Sequence, residues 1–323
     1  MGNFTEIDNK LSQMLQMQLG KLSNMPQNSP QFQNEVQKLI SDSLSTIRFE
    51  YMKSLSEYTN RNVICYVSAW LQGTNGNKDY SINDNDMNGL MNAVAGLDKT
   101  KGLDLILHTP GGNITATESI VKYLRLIFNN DIRVIVPHLA MSAGTMIACS
   151  SKEIIMGKES SLGPIDPQYY NVPAQGVLKE FKQAIDETCR QPNVALIWKE
   201  IIKQYRPTFV GECKNAVDLS YELVKYWLIS CMFKKSKNKE AKAERVLEEL
   251  ASHDTSKVHD RHYNINDCKR IGLKIVSLEA DSEMQDKVLS LYHSYILSIY
   301  RLPNTIKYIE SQNGQTFIIQ GQR

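Results

Sequence analysis

Nowhere does this sequence run uninterrupted through about 18 apolar residues, so no membrane-spanning helix is expected. The first thirty residues, opening MGNFTEIDNK, lack the apolar core of a secretory signal. Glu6 stands where a myristoylation pattern needs Ser or Thr. An excess of one charge is also missing: 37 Lys and Arg face 35 Asp and Glu, for a net charge of +2. That balance removes the electrostatic case for nucleic acid as a main partner. The one basic run, Lys234 to Lys239, passes into alternating Glu and Lys and reads as a solvated loop entering a helix. Six cysteines form no C-x-x-C pair, which argues against a zinc site or a disulfide framework and for reduced thiols. His259 and His262 have the spacing of a metal pair, but no further ligands follow at useful distance, so no metal is expected. A G-x-x-x-x-G-K-[ST] loop is absent, so any ATP hydrolysis would come from a partner. These absences leave the expectation of a soluble, cytoplasmic chain without a cofactor; its 42% hydrophobic and 22% charged residues are ordinary for a globular protein.

What is present is a change of rhythm along the chain. Residues 5–23 and then 32–58 carry apolar residues at helical spacing, separated by a proline-bearing break from Asn24 to Pro30. From Asn62 onward, short β-branched runs alternate with helical patterns: Val63–Val67, Leu103–His108, Ile132–Val136 and Glu153–Met156 read as strands. Helices are predicted between them at 84–96 and 115–128, and one opens at Met141-Ser142-Ala143-Gly144-Thr145. This alternation predicts an α/β fold, a parallel sheet of βαβ units with right-handed crossovers. Helical patterns return at 177–205, 212–233 and 239–252. Ile265–Leu273 reads as a short helix capped by Asn266 and closed by Gly272. A helix at 282–300 and a strand at 316–319 end the chain. The expected organisation is an N-terminal helical arm (1–58), an α/β domain (59–280, helical insertion near 205–255) and a C-terminal helix and strand (281–323).

Ligands of parallel sheets bind at the carboxyl ends of the strands. Two strand ends here carry unusual turns, HTPGG (108–112) and MSAGT (141–145). Ser142 sits at a strand-to-helix junction among small residues, where helix N–H groups face whatever the serine approaches. Serine at that position is also a common helix cap. Pro110-Gly111-Gly112 supplies a bare-backbone turn that can present an N–H without a side chain in the way. A serine and such a turn on adjacent strand ends make a nucleophile and an oxyanion hole.

The three stretches HTPGG, PHLAMSAGT and SSLGPIDPQ, in that order and spacing, resemble the serine dehydrogenase proteinase family, a branch of the Clp protease/crotonase superfamily related to signal peptide peptidase A. The likeness covers residues 60–190, with a weaker continuation at HDRHYNINDCKRIGLKI. It implies a Clp/crotonase-type repeated βαβ core with N- and C-terminal helical extensions. It makes Ser142 the nucleophile, the Gly112 and Ala143 N–H groups the oxyanion hole, and Asn113 and Ile114 part of a peptide groove. Gly111 and Pro110 would shape the turn. His108 belongs to the similar stretch, either near the chemistry or as a buried residue bonded to backbone.

The general base departs from the Clp pattern, because Asp166 stands near the position of the expected His and an ionised carboxylate is a poor base for serine. Related membrane peptidases use a Ser/Lys dyad, and Lys182 falls at the corresponding distance, with Lys179 one turn earlier. His138, four residues before Ser142, reads as shaping the turn, while His259 and His262 lie in a polar loop that the fold could return to the site. The sequence therefore points to a serine endopeptidase that acts on peptides or unfolded protein and assembles as a homo-oligomer. The alternatives are an acyl-coenzyme A hydrolase or isomerase on the same fold, and a catalytically silent scaffold or binding module.

Overall fold

The computed structural model describes residues 4–22, 25–73, 79–169, 172–251 and 261–321. Helices α1 (Phe4–Leu19) and α2 (Pro30–Thr59) come first, followed by β1 (Asn62–Ser68), α3 (Asp86–Val94), β2 (Leu103–His108), α4 (Ile114–Phe128) and β3 (Ile132–Val136). Then come β4 (Leu139–Ala140), α5 (Ala143–Cys149), β5 (Glu153–Met156), β6 (Ser161–Leu162) and the hairpin β7 (Gln168–Tyr169) and β8 (Val172–Pro173). Four helices follow in the next stretch: α6 (Ala174–Arg190), α7 (Ala195–Ile202), α8 (Phe209–Trp227) and α9 (Lys239–Leu250). The chain closes with β9 (Tyr263–Asn264), α10 (Ile265–Ile271), β10 (Ile275–Ser277), α11 (Ser282–Arg301), β11 (Thr305–Ser311) and β12 (Thr316–Gln320).

Seven strands form the central sheet in the order β10-β5-β3-β2-β1-β11-β12. The five from β10 to β1 are parallel, while β11 and β12 are antiparallel. The parallel strands follow one another in a single direction. Right-handed crossovers then put every connecting helix on one face. There Leu105, Leu107 and Val134 pack against Ile120 and Leu124 of α4, Met146 of α5 and Trp227 of α8. The other face is left to α2 and α11, whose Met52, Leu55, Leu291 and Tyr295 cover Cys65, Val67, Ile106 and Ile135. With both faces covered, β1 and β2 are buried along their whole length, which explains their mainly apolar sequences; the buried exception inside β2, Asp104, is paired with Arg61 and Arg133.

The structure departs from the sequence reading at several places, among them the short strands β4, β6 to β9 and β10, which that reading lacks. The helical pattern at 177–205 is broken by Pro192, which ends α6 and starts a short 3₁₀ turn before α7. Asn264, not Asn266, caps α10: its side chain accepts from the Asn266 and Asp267 amides, and Asp267 completes a capping box. Strand β11 has no counterpart in the sequence reading, and it makes the sheet mixed. All seven of its residues are buried, Lys307 and Glu310 included, so its charges disguised a central strand.

Glu310 explains how the N-terminal helices are held. Arg48 of α2 forks onto its carboxylate at 2.8 and 2.9 Å, with both side chains essentially inaccessible to water. Tyr295 donates to the same carboxylate, and the Arg48 guanidinium lies 4.5 Å from the Tyr308 ring centroid. A fully bonded ion pair therefore ties α2 and α11 to the sheet.

Candidate active site

Beyond its last residue, β2 continues into Thr109-Pro110-Gly111-Gly112, and β3 leads through β4 into Met141 and Ser142. Backbone bonds lock these two turns in register. The Thr109 amide donates to Leu139 O at 3.0 Å, and the Met141 amide donates to Thr109 O at 3.0 Å. Ser142 then adopts φ 49 and ψ −114, a conformation that costs a non-glycine residue about 1–3 kcal/mol. Its surroundings hold it there: Gly144 N bonds to Met141 O at 2.7 Å, and Thr145 Oγ1 donates to Ala140 O at 2.9 Å. Although Ser142 occupies the cap position of α5, its side chain makes no capping hydrogen bond. The hydroxyl is not used to finish the helix.

Gly111 lies against this strained serine. A Cβ on Gly111 would come 2.7 Å from Met141 O, 2.8 Å from Ser142 Cβ and 2.9 Å from Ala143 N. Only glycine permits such an approach, and φ +97 demands it as well. Gly112 is hemmed on its other side, where a Cβ would meet Ile82 N at 2.3 Å. Ile82 N donates to Gly111 O at 2.7 Å, and Asn113 N donates to Ile82 O at 2.9 Å, forming a parallel bridge around Gly112. Along extended backbone, successive residues point their polar groups to opposite edges. Because Gly111 O and Asn113 N face Ile82, the Gly112 N–H and C=O face away from it. Among the described residues, neither the Gly112 amide nor the Ala143 amide donates to a protein acceptor.

These groups share one open cleft of about 490 Å³, lined by Asp79, Ser81, Ile82, Asn83, Pro110, Gly111, Gly112, Asn113, Ser142 and Gln168. A larger groove of about 1000 Å³, beside Phe32, Gln37, Tyr300 and Asn304, shares no residue with it. Asn113 begins α4, its side chain accepting from the Thr115 and Ala116 amides at 2.8 and 3.0 Å. Its backbone therefore serves the turn while its side chain serves the helix.

The remaining candidates fall elsewhere. His108 is buried behind the turns, its Nδ1 3.1 Å from Leu139 O and its ring stacked on His138 at 5.6 Å and edge-on to Tyr292 at 5.3 Å. Burial, reinforced by the neighbouring His138, pushes its pKa down to about 3. His108 is thus a neutral strut between the strand that carries the glycines and the strand that carries the serine. His138, half-buried, bonds to the Tyr292 hydroxyl at 3.1 Å, and desolvation lowers its pKa. Asp166 is buried in the loop after β6, a loop fastened to α5 by Gly163 N donating to Thr145 Oγ1 at 2.9 Å. Lys179 and Lys182 are exposed on α6, and neither lines the cleft. His262 is exposed, and His259 lies outside the described residues. Among the described residues, no His/Cys/Asp/Glu group suits a metal ion, and no helix is long and apolar enough to cross a membrane.

Sequence reasoning missed the strip Ser81–Ile82–Asn83, which forms one wall of the cleft. Its signal was slight: a single isoleucine in a polar loop, 1% exposed because its backbone clasps Gly112. Gln168 was likewise passed over as part of the third motif.

The chain is 29% identical over 279 residues to the uncharacterized protein MJ0137 of Methanocaldococcus jannaschii, a match covering 84% of this chain and 87% of that one. A second uncharacterized protein of the same organism, MJ1495, is 29% identical over 214 residues, covering 65% of this chain and 62% of its own length. Residues 37–316 match the family described as ClpP-like SDH-type serine proteinase. The chain belongs to that family.

Proposed function

We propose that the cleft hydrolyses peptide bonds through an acyl-enzyme formed on Ser142. One observation carries this reading: a strained serine, with its hydroxyl free of any capping role, touches a bare glycine turn within one open cleft. Ser142 Oγ attacks the scissile carbonyl, and the Gly112 and Ala143 N–H groups receive the developing oxyanion. Each well-placed donor contributes roughly 10²–10³ in rate. The amine then leaves with a proton, and water releases the acyl group by the same path in reverse.

The proton acceptor in this proposal is Lys182, with Lys179 as its neighbour on α6. An exposed ammonium is well solvated, so the dyad requires α6 to carry a lysine against Ser142 and out of water when substrate or another subunit arrives. Peptides or unfolded protein are the substrates. No cofactor takes part, and the cytoplasm is the site of action. Exposed Leu126, Ile185, Leu196 and Ile197 support a homo-oligomer that buries them. Light scattering behind size exclusion measures that state directly.

A fluorophosphonate probe tests the nucleophile: labelling and peptide hydrolysis should both vanish in Ser142→Ala. Lys182→Ala should lower hydrolysis at least 10²-fold with the fold intact; activity retained in the Lys182→Ala/Lys179→Ala double variant removes the dyad. A silent scaffold is the second reading, favoured by the fact that no His or Lys among the described residues lines the cleft. It predicts an unlabelled Ser142 in the parent protein.

A further inference from the structure

Behind the cleft wall lies a buried ion pair that the proposed chemistry does not use. Lys307 of β11 and Asp86 of α3 are both fully shielded from water, with Nζ 2.8 Å from Oδ1. Lys307 also donates to Ser81 O at 2.6 Å. Asp86 Oδ2 accepts from Asn83 N at 3.0 Å and from the Tyr66 hydroxyl at 2.7 Å. On the glycine turn itself, Thr109 Oγ1 accepts from the Gly111 amide at 3.1 Å. The ion pair thus reaches backbone that borders Gly112, Ser81 and Asn83 on either side of Ile82.

A buried pair of this kind is a poor way to stabilise a fold. Desolvation of the two charges consumes most of their attraction, and apolar replacements of similar volume are often no less stable. Its distinctive property is direction. Lysine and aspartate fix hydrogen-bonded partners at set positions, which an apolar pair does not do. Here the partners are the two ends of a three-residue strip that has no regular secondary structure of its own.

We propose that Lys307 and Asp86 are positioning residues, which set the orientation of the Gly112 amide by anchoring the Ser81–Asn83 strip against the glycine turn. The proposal rests on the hydrolase reading in one respect only, that the Gly112 N–H receives an oxyanion. The substrate meets neither side chain, so their loss lowers kcat and leaves KM almost unchanged.

The test uses the full-length chain in three forms: parent, Lys307→Met/Asp86→Asn, and Lys307→Arg. The double variant removes both charges together, so neither is left buried alone. It should unfold at a urea concentration close to the parent's, lose 10- to 100-fold in kcat and in the rate of fluorophosphonate labelling, and keep KM within threefold. Lys307→Arg, which retains the charge, should recover part of kcat. Amide hydrogen exchange supplies a readout independent of catalysis: Ile82 and Asn113, whose bonds hold the bridge, should exchange at least tenfold faster in the double variant. Unchanged exchange there, or unchanged kcat in a folded double variant, overturns the proposal. If the parent neither labels nor hydrolyses, the hydrolase reading fails, and the exchange measurement still decides whether the pair anchors the strip.

Discussion

Replacing Gly111 by alanine tests the contact between the two turns on which the site depends. The added methyl group would stand 2.7 Å from Met141 O and 2.8 Å from Ser142 Cβ. Comfortable separations begin at about 3.5 Å, so the turns must part by roughly 0.8 Å. Both neighbours are backbone or held by backbone, and neither can rotate out of the way. Alanine at φ +97 adds a left-handed penalty of about 1–2 kcal/mol. Gly272 provides the control. It has a similar φ of +105 and nothing within 4 Å of its would-be Cβ, so Gly272→Ala incurs the backbone penalty without the collision. Denaturant unfolding and the rate of fluorophosphonate labelling together separate the two effects. Gly272→Ala should lose about 1–2 kcal/mol of stability and label at the parent rate. Gly111→Ala should lose more stability and label about 10²-fold more slowly, the cost of misplacing one oxyanion donor. A folded Gly111→Ala protein that labels within threefold of the parent would show that the turns do not act together, and the oxyanion-hole account would fall.

Three further outcomes follow from named interactions. Ser142 holds the mirror image of an ordinary extended conformation, which glycine accepts freely, so Ser142→Gly should be about 1 kcal/mol more stable than Ser142→Ala in urea unfolding; equal stabilities would remove strain from the argument. His108 is neutral when folded, with a pKa of about 3, and titrates near 6.5 when unfolded. The unfolded chain therefore binds more protons between those values, and stability present above pH 6.5 is lost as pH falls toward 3. At pH 5 the loss is about 2 kcal/mol, and His108→Leu should abolish that share of the pH dependence measured by urea titration. Glu310→Ala strands Arg48 in the core and should cost about 3–5 kcal/mol, whereas Arg48→Met/Glu310→Leu should unfold near the parent midpoint; equal losses in the two would mean that the pair itself, not the stranded charge, sets the cost.

The turns were legible because their constraints act on the identity of residues. Gly111 and Gly112 cannot carry a side chain where Ser142 and Ile82 press against them, so the requirement is written as two glycines after a strand. Much the same holds for β1, β2 and β3, whose burial on both faces selects mainly apolar residues, the Asp104–Arg133 pair apart. Strand β11 escaped because its interior charges are satisfied by partners far away in sequence: Lys307 by Asp86, and Glu310 by Arg48. Read alone, TIKYIES alternates like a half-exposed segment. The Ser81–Asn83 strip escaped for a different reason. It contributes Ser81 O, Ile82 N and O, and Asn83 N, groups that every residue but proline possesses, so side chains leave little trace of the role. What the sequence did carry about that strip lies at a distance, in the buried Lys307 and Asp86 that hold it. A cleft wall made of backbone is thus specified by the charges behind it. Substitutions at Lys307 should consequently disturb the site more than substitutions of the Ser81 or Asn83 side chains, which line it directly.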